Sequence, residues 1–341
     1  MTPAIFSLSG LALTADERAL FRDADPAGYI LFGRNIANRA QVRALTDELR
    51  ALHGRERTFI CIDQEGGRVT RLKPPEWLKF PPGEVFDKLY DVAPISAIEA
   101  ARANAEALGL DLAEAGINVD CLPLLDVRQP GAHDVIGDRA FGSEPMRVAA
   151  LGRAALDGLA RAGVAGVIKH MPGHGRTHCD THKAMPTVTA GEDELETDLA
   201  PFRALKDAAI GMTGHLLFTA WDAENPATLS PFVIEQIIRK RIGFDGLLLT
   251  DDLDMEALNG TVPERAERAV AAGCDLALYC WANLGHMKDI AERLPTMRAE
   301  TAARLERALA GTADFSTPVE RSAQVALVEK RDRLLALAER A

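Results

Sequence analysis

The sequence predicts a parallel (β/α)8 barrel of the TIM type, and three observations carry that expectation. Short apolar runs recur eight times along the 341 residues, at 5–10, 28–33, 58–63, 118–126, 166–171, 211–216, 246–251 and 274–280. Longer segments rich in Ala, Leu, Arg and Glu separate them, among them 39–52, 97–115, 146–162, 192–206 and 231–241. Strands alternating with helices imply parallel strands joined by crossover helices, and eight such units suit a closed barrel. An open doubly wound sheet is the alternative, but no Gly-x-Gly-x-x-Gly follows the first strand.

In chain order, the first two units are short. The gap 64–117 contains Pro74, Pro75, Pro81 and Pro82 and predicts a loop over one rim before the helix at 97. The gap 127–165 opens with Pro130, Gly131 and Gly137, a second long loop. Residues 317–341 are helical in pattern, with Val325, Leu327, Leu334, Leu335 and Leu337 as a packing stripe. They read as an outer helix of the same domain. With no linker-like stretch, the whole of 1–341 is expected to be one catalytic barrel domain.

Apolar residues make up 47% of the chain, enough to fill a large core. Its charge, 39 minus 50, is −11, which argues against a nucleic-acid partner bound through phosphates. The five cysteines, at 61, 121, 179, 274 and 280, lack paired spacing, so no disulfide framework is expected. Four of them lie in or beside strand-like runs, where Cys serves as a small buried hydrophobe. The first six residues do not begin a signal peptide, and no apolar run reaches the roughly 18 residues of a membrane span. A soluble, cytoplasmic monomer is expected.

The stretch 169–182 concentrates chemistry. Four of the eight histidines fall there, at 170, 174, 178 and 182. Pro172, Gly173 and Gly175 break any helix, so the reading is a strand end followed by a loop carrying Lys169, His170, His174, Asp180 and His182. Other strand ends are polar too: Ile62-Asp63-Gln64-Glu65-Gly66-Gly67-Arg68, Gly214-His215 and Thr250-Asp251-Asp252. A parallel barrel gathers such ends on one rim. Adjacent Asp251 and Asp252 should face opposite ways, with one in the barrel mouth and the other bonded to the following turn. Sequence alone leaves open which is which. Two chemistries suit these parts. A metal-dependent hydrolase could use the loop histidines as ligands, although no His-x-His occurs. A glycosidase could use a carboxylate nucleophile and a separate proton donor, for which Asp180 and His182 are the candidate pair. A non-catalytic sugar-binding barrel is a third possibility.

The run Lys169-His170-x-Pro172-Gly173-His174-Gly175 followed by Asp180-x-His182 resembles the glycoside hydrolase family 3 β-N-acetylhexosaminidases, the NagZ-type enzymes of peptidoglycan recycling. Residues 62–69, the run Val135-Ile136-Gly137-Asp138-Arg139-Ala140-Phe141-Gly142, and Phe244-Asp245-Gly246 leading into Thr250-Asp251-Asp252-Leu253 match as well. Met171 departs from the aromatic residue common there. The resemblance spans about residues 5–310. It implies a retaining exo-β-N-acetylglucosaminidase that acts on muropeptides without metal or cofactor. Asp251 would be the nucleophile, and Asp180 and His182 the acid/base dyad. Asp63, Arg71, Arg139, Lys169, His170 and His174 would hold the terminal sugar. Asp-x-His on this loop separates that branch from the β-glucosidases of the wider family. Arg68 is expected to make a rim salt bridge, and His178 to be a solvated loop residue. His215 is open between cleft floor and satisfied core histidine. Trp77, Trp221 and Trp281 are each expected to pack.

Overall fold

The structure is a computed structural model that describes residues 1–55, 57–177, 185–313, 315 and 319–338. His178, Cys179, Asp180 and His182 lie outside the described residues. Eight parallel strands form the barrel: β1 (Thr2–Ser7), β2 (Pro26–Leu31), β3 (Phe59–Ile62), β4 (Val119–Asp120), β5 (Ala165–Met171), β6 (Ile210–Thr213), β7 (Leu247–Leu249) and β8 (Ala277–Leu278). Their order is β8-β1-β2-β3-β4-β5-β6-β7. A parallel bridge between Leu249 and Leu276 joins the two ends, with Thr250 N–H donating to the Leu276 carbonyl at 3.1 Å. The expected barrel is therefore present.

Alternation along each strand divides the core in two. Ile5, Ile30, Cys61, Val119, Val167, Met212 and Leu249 point inward, and the helix Ala299–Leu309 adds Leu305, Ala308 and Leu309 to this inner cluster. Phe6, Tyr29, Leu31, Ile60, Ile62 and Ile168 point outward to the ring of helices. This is the period of two that parallel strands require. Cys61, Cys121, Cys274 and Cys280 are buried free thiols, as the strand-like runs suggested.

Several boundaries differ from expectation, each for a local reason. β1 starts earlier because Thr2 N–H donates to the Asp25 carbonyl, and it stops at Ser7 because the Asn35 side chain takes the Leu8 and Gly10 carbonyls. β4 is short because Pro123 has no N–H to offer a ladder. The chain still runs beside β5, with Leu125 N–H donating to the Lys169 carbonyl at 2.7 Å. The gap 64–117 is not a plain loop. It contains a helix at Glu84–Val92, and the next helix starts at Pro94, where a missing donor costs nothing at the first position. The 231–241 segment forms a π-type helix at Val233–Ile242, ended by Gly243 at φ +83°.

The C-terminal helix Arg321–Leu335 lies on the helix Pro94–Glu114. Gln324 donates to the Ala107 carbonyl at 2.9 Å and Arg331 to Asn104 Oδ1 at 3.0 Å. Leu327, Leu334 and Leu335 pack against the core, but Val325 and Leu337 are exposed. The expected apolar stripe is thus narrower, and buried polar bonds complete the contact. No described helix is long and apolar enough to cross a membrane.

Candidate active site

A cleft of about 770 Å³ opens where β2, β3, β5, β7 and β8 end. Its wall is a buried network of alternating charge. Glu65 accepts from Arg139 through two bonds, Nη2 to Oε1 at 2.7 Å and Nε to Oε2 at 2.8 Å. Lys169 Nζ lies 2.7 Å from the same Oε1 and 3.3 Å from Asp63 Oδ1. Asp63 Oδ2 accepts from Arg71 at 3.1 Å. Burial alone would push the Glu65 carboxyl up, but Arg139 and Lys169 together hold it far below the usual carboxylate range. Burial likewise disfavours the Lys169 ammonium, and Glu65 and Asp63 outweigh it, keeping the amine charged. A fork of two parallel bonds fixes Arg139 more firmly than a point contact could.

Glu65 was not singled out from sequence, although the pattern offered a signal. Residues 63 and 65 are two apart, so a continuing strand turns both to one side. Asp126 was also missed. Its Oδ1 accepts from His170 N–H at 3.2 Å and from His174 N–H at 2.7 Å, and its Oδ2 lies 2.8 Å from His170 Nδ1. One buried carboxylate therefore anchors both ends of the 170–174 turn and orients the His170 ring. Glycine is required in this turn. Gly173 sits at φ +138°, and a Cβ on Gly175 would lie 1.9 Å from the Val127 carbonyl oxygen.

Lys169 and His170 both line the cleft, which a regular strand forbids for neighbours. The pairing of β5 with β6 shifts register between Ile168 and Met171, and Met171 joins the outer core. His174 is buried, bonded to Thr177 Oγ1 at 2.9 Å. Burial, reinforced by His170, lowers its ring to about 4, so it is neutral near pH 7.

Asp251 and Asp252 both border the cleft, contrary to the expectation that only one would. Their surroundings differ. Burial pushes the Asp251 carboxyl up, but the rings of His170 and His215, the Asp252 N–H and the Lys169 ammonium together hold it below its usual value. Asp252 accepts from Asp254 N–H and from Cys280 N–H, both at 3.2 Å, the expected turn contact. Burial nevertheless raises its carboxyl to about 6. His215 resolves as a satisfied core histidine. It is fully buried and bonded to Thr228 Oγ1 at 2.8 Å and the Asp252 carbonyl at 2.9 Å. Arg68 makes the expected rim pair, 2.9 Å from Asp138. Trp77 and Trp221 pack, but Trp281 is 56% exposed at the cleft edge. Among the described residues, no three His, Cys, Asp or Glu side chains gather as a metal would require.

The model of the glycosyl hydrolase family 3 N-terminal domain matches residues 6–310. The chain belongs to this family. Among curated family relatives, a Chromobacterium violaceum protein named β-hexosaminidase is 39% identical over 312 residues, which is 89% of this chain and 86% of that one. Among solved structures, NagZ from Neisseria gonorrhoeae in complex with N-trifluoroacetyl-D-glucosamine is similar at a TM-score of 0.85 and 30% identity, covering 99% of this chain and 98% of that one. A family 3 β-N-acetylglucosaminidase from Paenibacillus is similar at 0.81 and 33%, covering 99% and 66%. Family 3 membership agrees with the motifs at 62–69, 135–142, 169–182 and 244–253.

Proposed function

We propose that this family 3 protein is a retaining exo-β-N-acetylglucosaminidase that removes terminal N-acetylglucosamine from muropeptides, chiefly N-acetylglucosaminyl-1,6-anhydro-N-acetylmuramic acid with or without peptide, in cell-wall recycling. The observation that carries this reading is Asp251. It is held as a carboxylate at the cleft, across a barrel mouth whose wall is built from Asp63, Glu65, Arg71, Arg139 and Lys169. Paired cations and carboxylates suit the neighbouring hydroxyls of one sugar, since each hydroxyl both donates and accepts. A wall of this kind favours a chain end over a mid-chain unit.

In the first step an Asp251 oxygen bonds to the anomeric carbon. The bond to the leaving oxygen breaks, its electron pair stays on that oxygen, and His182 supplies the proton. In the second step His182 takes a proton from water, the water oxygen bonds to the anomeric carbon, and Asp251 is released. The roles of His182 and Asp180 rest on the family resemblance. So do the sugar-binding roles of Asp63, Arg71, Arg139, Lys169, His170 and His174, although all six border or bond into the one cleft. We take the chain as one monomeric catalytic unit working in the cytoplasm. The buried unpaired thiols suit that compartment.

The deciding experiment follows hydrolysis of an aryl β-N-acetylglucosaminide by proton NMR. The β-anomer of N-acetylglucosamine should appear first and mutarotate later. Initial release of the α-anomer would overturn the two-step reading, and loss of activity on exhaustive chelation would favour a metal hydrolase. The proton donor makes a separate forecast. His182→Ala should slow substrates with poor leaving groups by about 10²–10⁴-fold, and aryl glycosides with good leaving groups far less. Equal losses on both would remove His182 from the role.

A further inference from the structure

The groups that suit the terminal sugar come from the ends of β3, β4 and β5, and Asp251 follows β7. The remaining arc of the rim, at the ends of β8, β1 and β2, has its own chemistry. Trp281, one residue past the Cys280 that follows β8, presents an exposed indole to the cleft. The residue before it, Cys280, is held from two sides. Asp252 accepts from Cys280 N–H at 3.2 Å, and the Arg34 guanidinium donates through Nη2 to the Cys280 carbonyl, the carbonyl of the Cys280–Trp281 peptide. Arg34 is further fixed by the Leu8 carbonyl, the Ser7 hydroxyl and the face of Phe32, whose ring centre lies 4.8 Å away.

Five cations line the cleft: Arg34, Arg68, Arg71, Arg139 and Lys169. Four of them have a carboxylate partner. Among the described residues Arg34 has no carboxylate within 4 Å, although Asp252 acts on it from farther off, and its Nη1 makes no hydrogen bond to them. An aromatic face beside a guanidinium that has no carboxylate within 4 Å among the described residues, its Nη1 open to the cleft, suits a ligand with an apolar sugar face and a negative charge.

We propose that Trp281 and Arg34 form the subsite for the leaving group. The indole stacks on the leaving sugar ring, and Arg34 receives a carboxylate carried by that ring or its substituent. This rests on the glycosidase reading and specifies which leaving groups the cleft prefers.

Three probes test it: β-N-acetylglucosaminyl fluoride, which has no leaving sugar; N,N′-diacetylchitobiose, whose leaving sugar is neutral; and N-acetylglucosaminyl-β-1,4-N-acetylmuramic acid, whose leaving sugar carries a carboxylate. Trp281→Ala should lower kcat/KM for both disaccharides about tenfold relative to the fluoride. Arg34→Gln should lower the muramic acid substrate about tenfold relative to chitobiose, and Arg34→Lys should restore part of that loss. Unchanged ratios in Trp281→Ala, or an equal loss on all three probes, would overturn the stacking role. An equal loss on the two disaccharides in Arg34→Gln would show that Arg34 only holds the peptide, and would overturn the carboxylate role. A protein inactive even on the fluoride would instead sink the glycosidase reading. Calorimetric affinity for the two disaccharides then still decides the subsite, through the same ratios in the same variants.

Discussion

Asp251→Asn is expected to lower kcat/KM on an aryl β-N-acetylglucosaminide by about 10⁴-fold or more, the scale on which loss of a covalent nucleophile is felt. The substitution keeps an acceptor for the Asp252 N–H, now 2.8 Å from Asp251 Oδ1, so the fold should be retained and the loss should fall on chemistry. A fluorinated N-acetylglucosaminide that keeps its 2-acetamido group and has a good leaving group should label the wild-type protein at Asp251. A label on Asp252 would reverse the assignment. The geometry argues for Asp251, because Asp252 has one oxygen committed to the Asp254 and Cys280 N–H groups and its carboxyl is raised to about 6 by burial. The depressed Asp251 carboxyl adds a pH forecast. Asp251 should remain ionised down to a pH below the ordinary Asp value, so any fall in activity above about pH 4 must come from another group.

Glu65→Ala should be the most destabilising change in the cleft, at about 3–5 kcal/mol, because it leaves buried Arg139 without a carboxylate within 4 Å among the described residues and takes from buried Lys169 the nearer of its two. Chemical unfolding measured at neutral pH tests this. A loss near zero would mean that Arg139 and Lys169 find other partners. The pH dependence has a definite sign. The carboxyl of Glu65 is depressed in the folded state, so its contribution is complete above the unfolded value of about 4.3. That contribution is lost as pH falls below this value toward the folded one. The wild type should therefore lose stability with acid more steeply than Glu65→Ala, with the two curves converging below about pH 4.

Much of the barrel could be read from sequence because its signals are local. Apolar runs between Ala- and Leu-rich segments located all eight strands, and the 39–52 helix was placed almost to the residue. Part of what failed was set by distant partners. β1 ends where Asn35, some 27 positions away, takes over a carbonyl. β4 ends at Asp120, short of Pro123, a local breaker inside an otherwise strand-like run. The site divides in the same way. Lys169, His170 and Asp251 stand in conspicuous motifs at strand ends. Asp126 closes a predicted strand without any unusual neighbour, and its role follows only from a contact 44 residues on. Trp281 escaped because burial of an aromatic at a strand end depends on what covers it. The Asp251 and Asp252 expectation failed because alternation holds only inside a ladder, and the chain leaves β7 at Leu249.

Glu65 serves two cations with one carboxylate, and that sharing constrains how the cleft can diversify. Replacing Arg139 or Lys169 singly alters the environment of the other, so the effects of paired substitutions should depart from the sum of the single ones. A lineage moving this scaffold toward another sugar would meet these three residues as one inherited unit. The exposed side chain of Trp281 could meanwhile vary more freely.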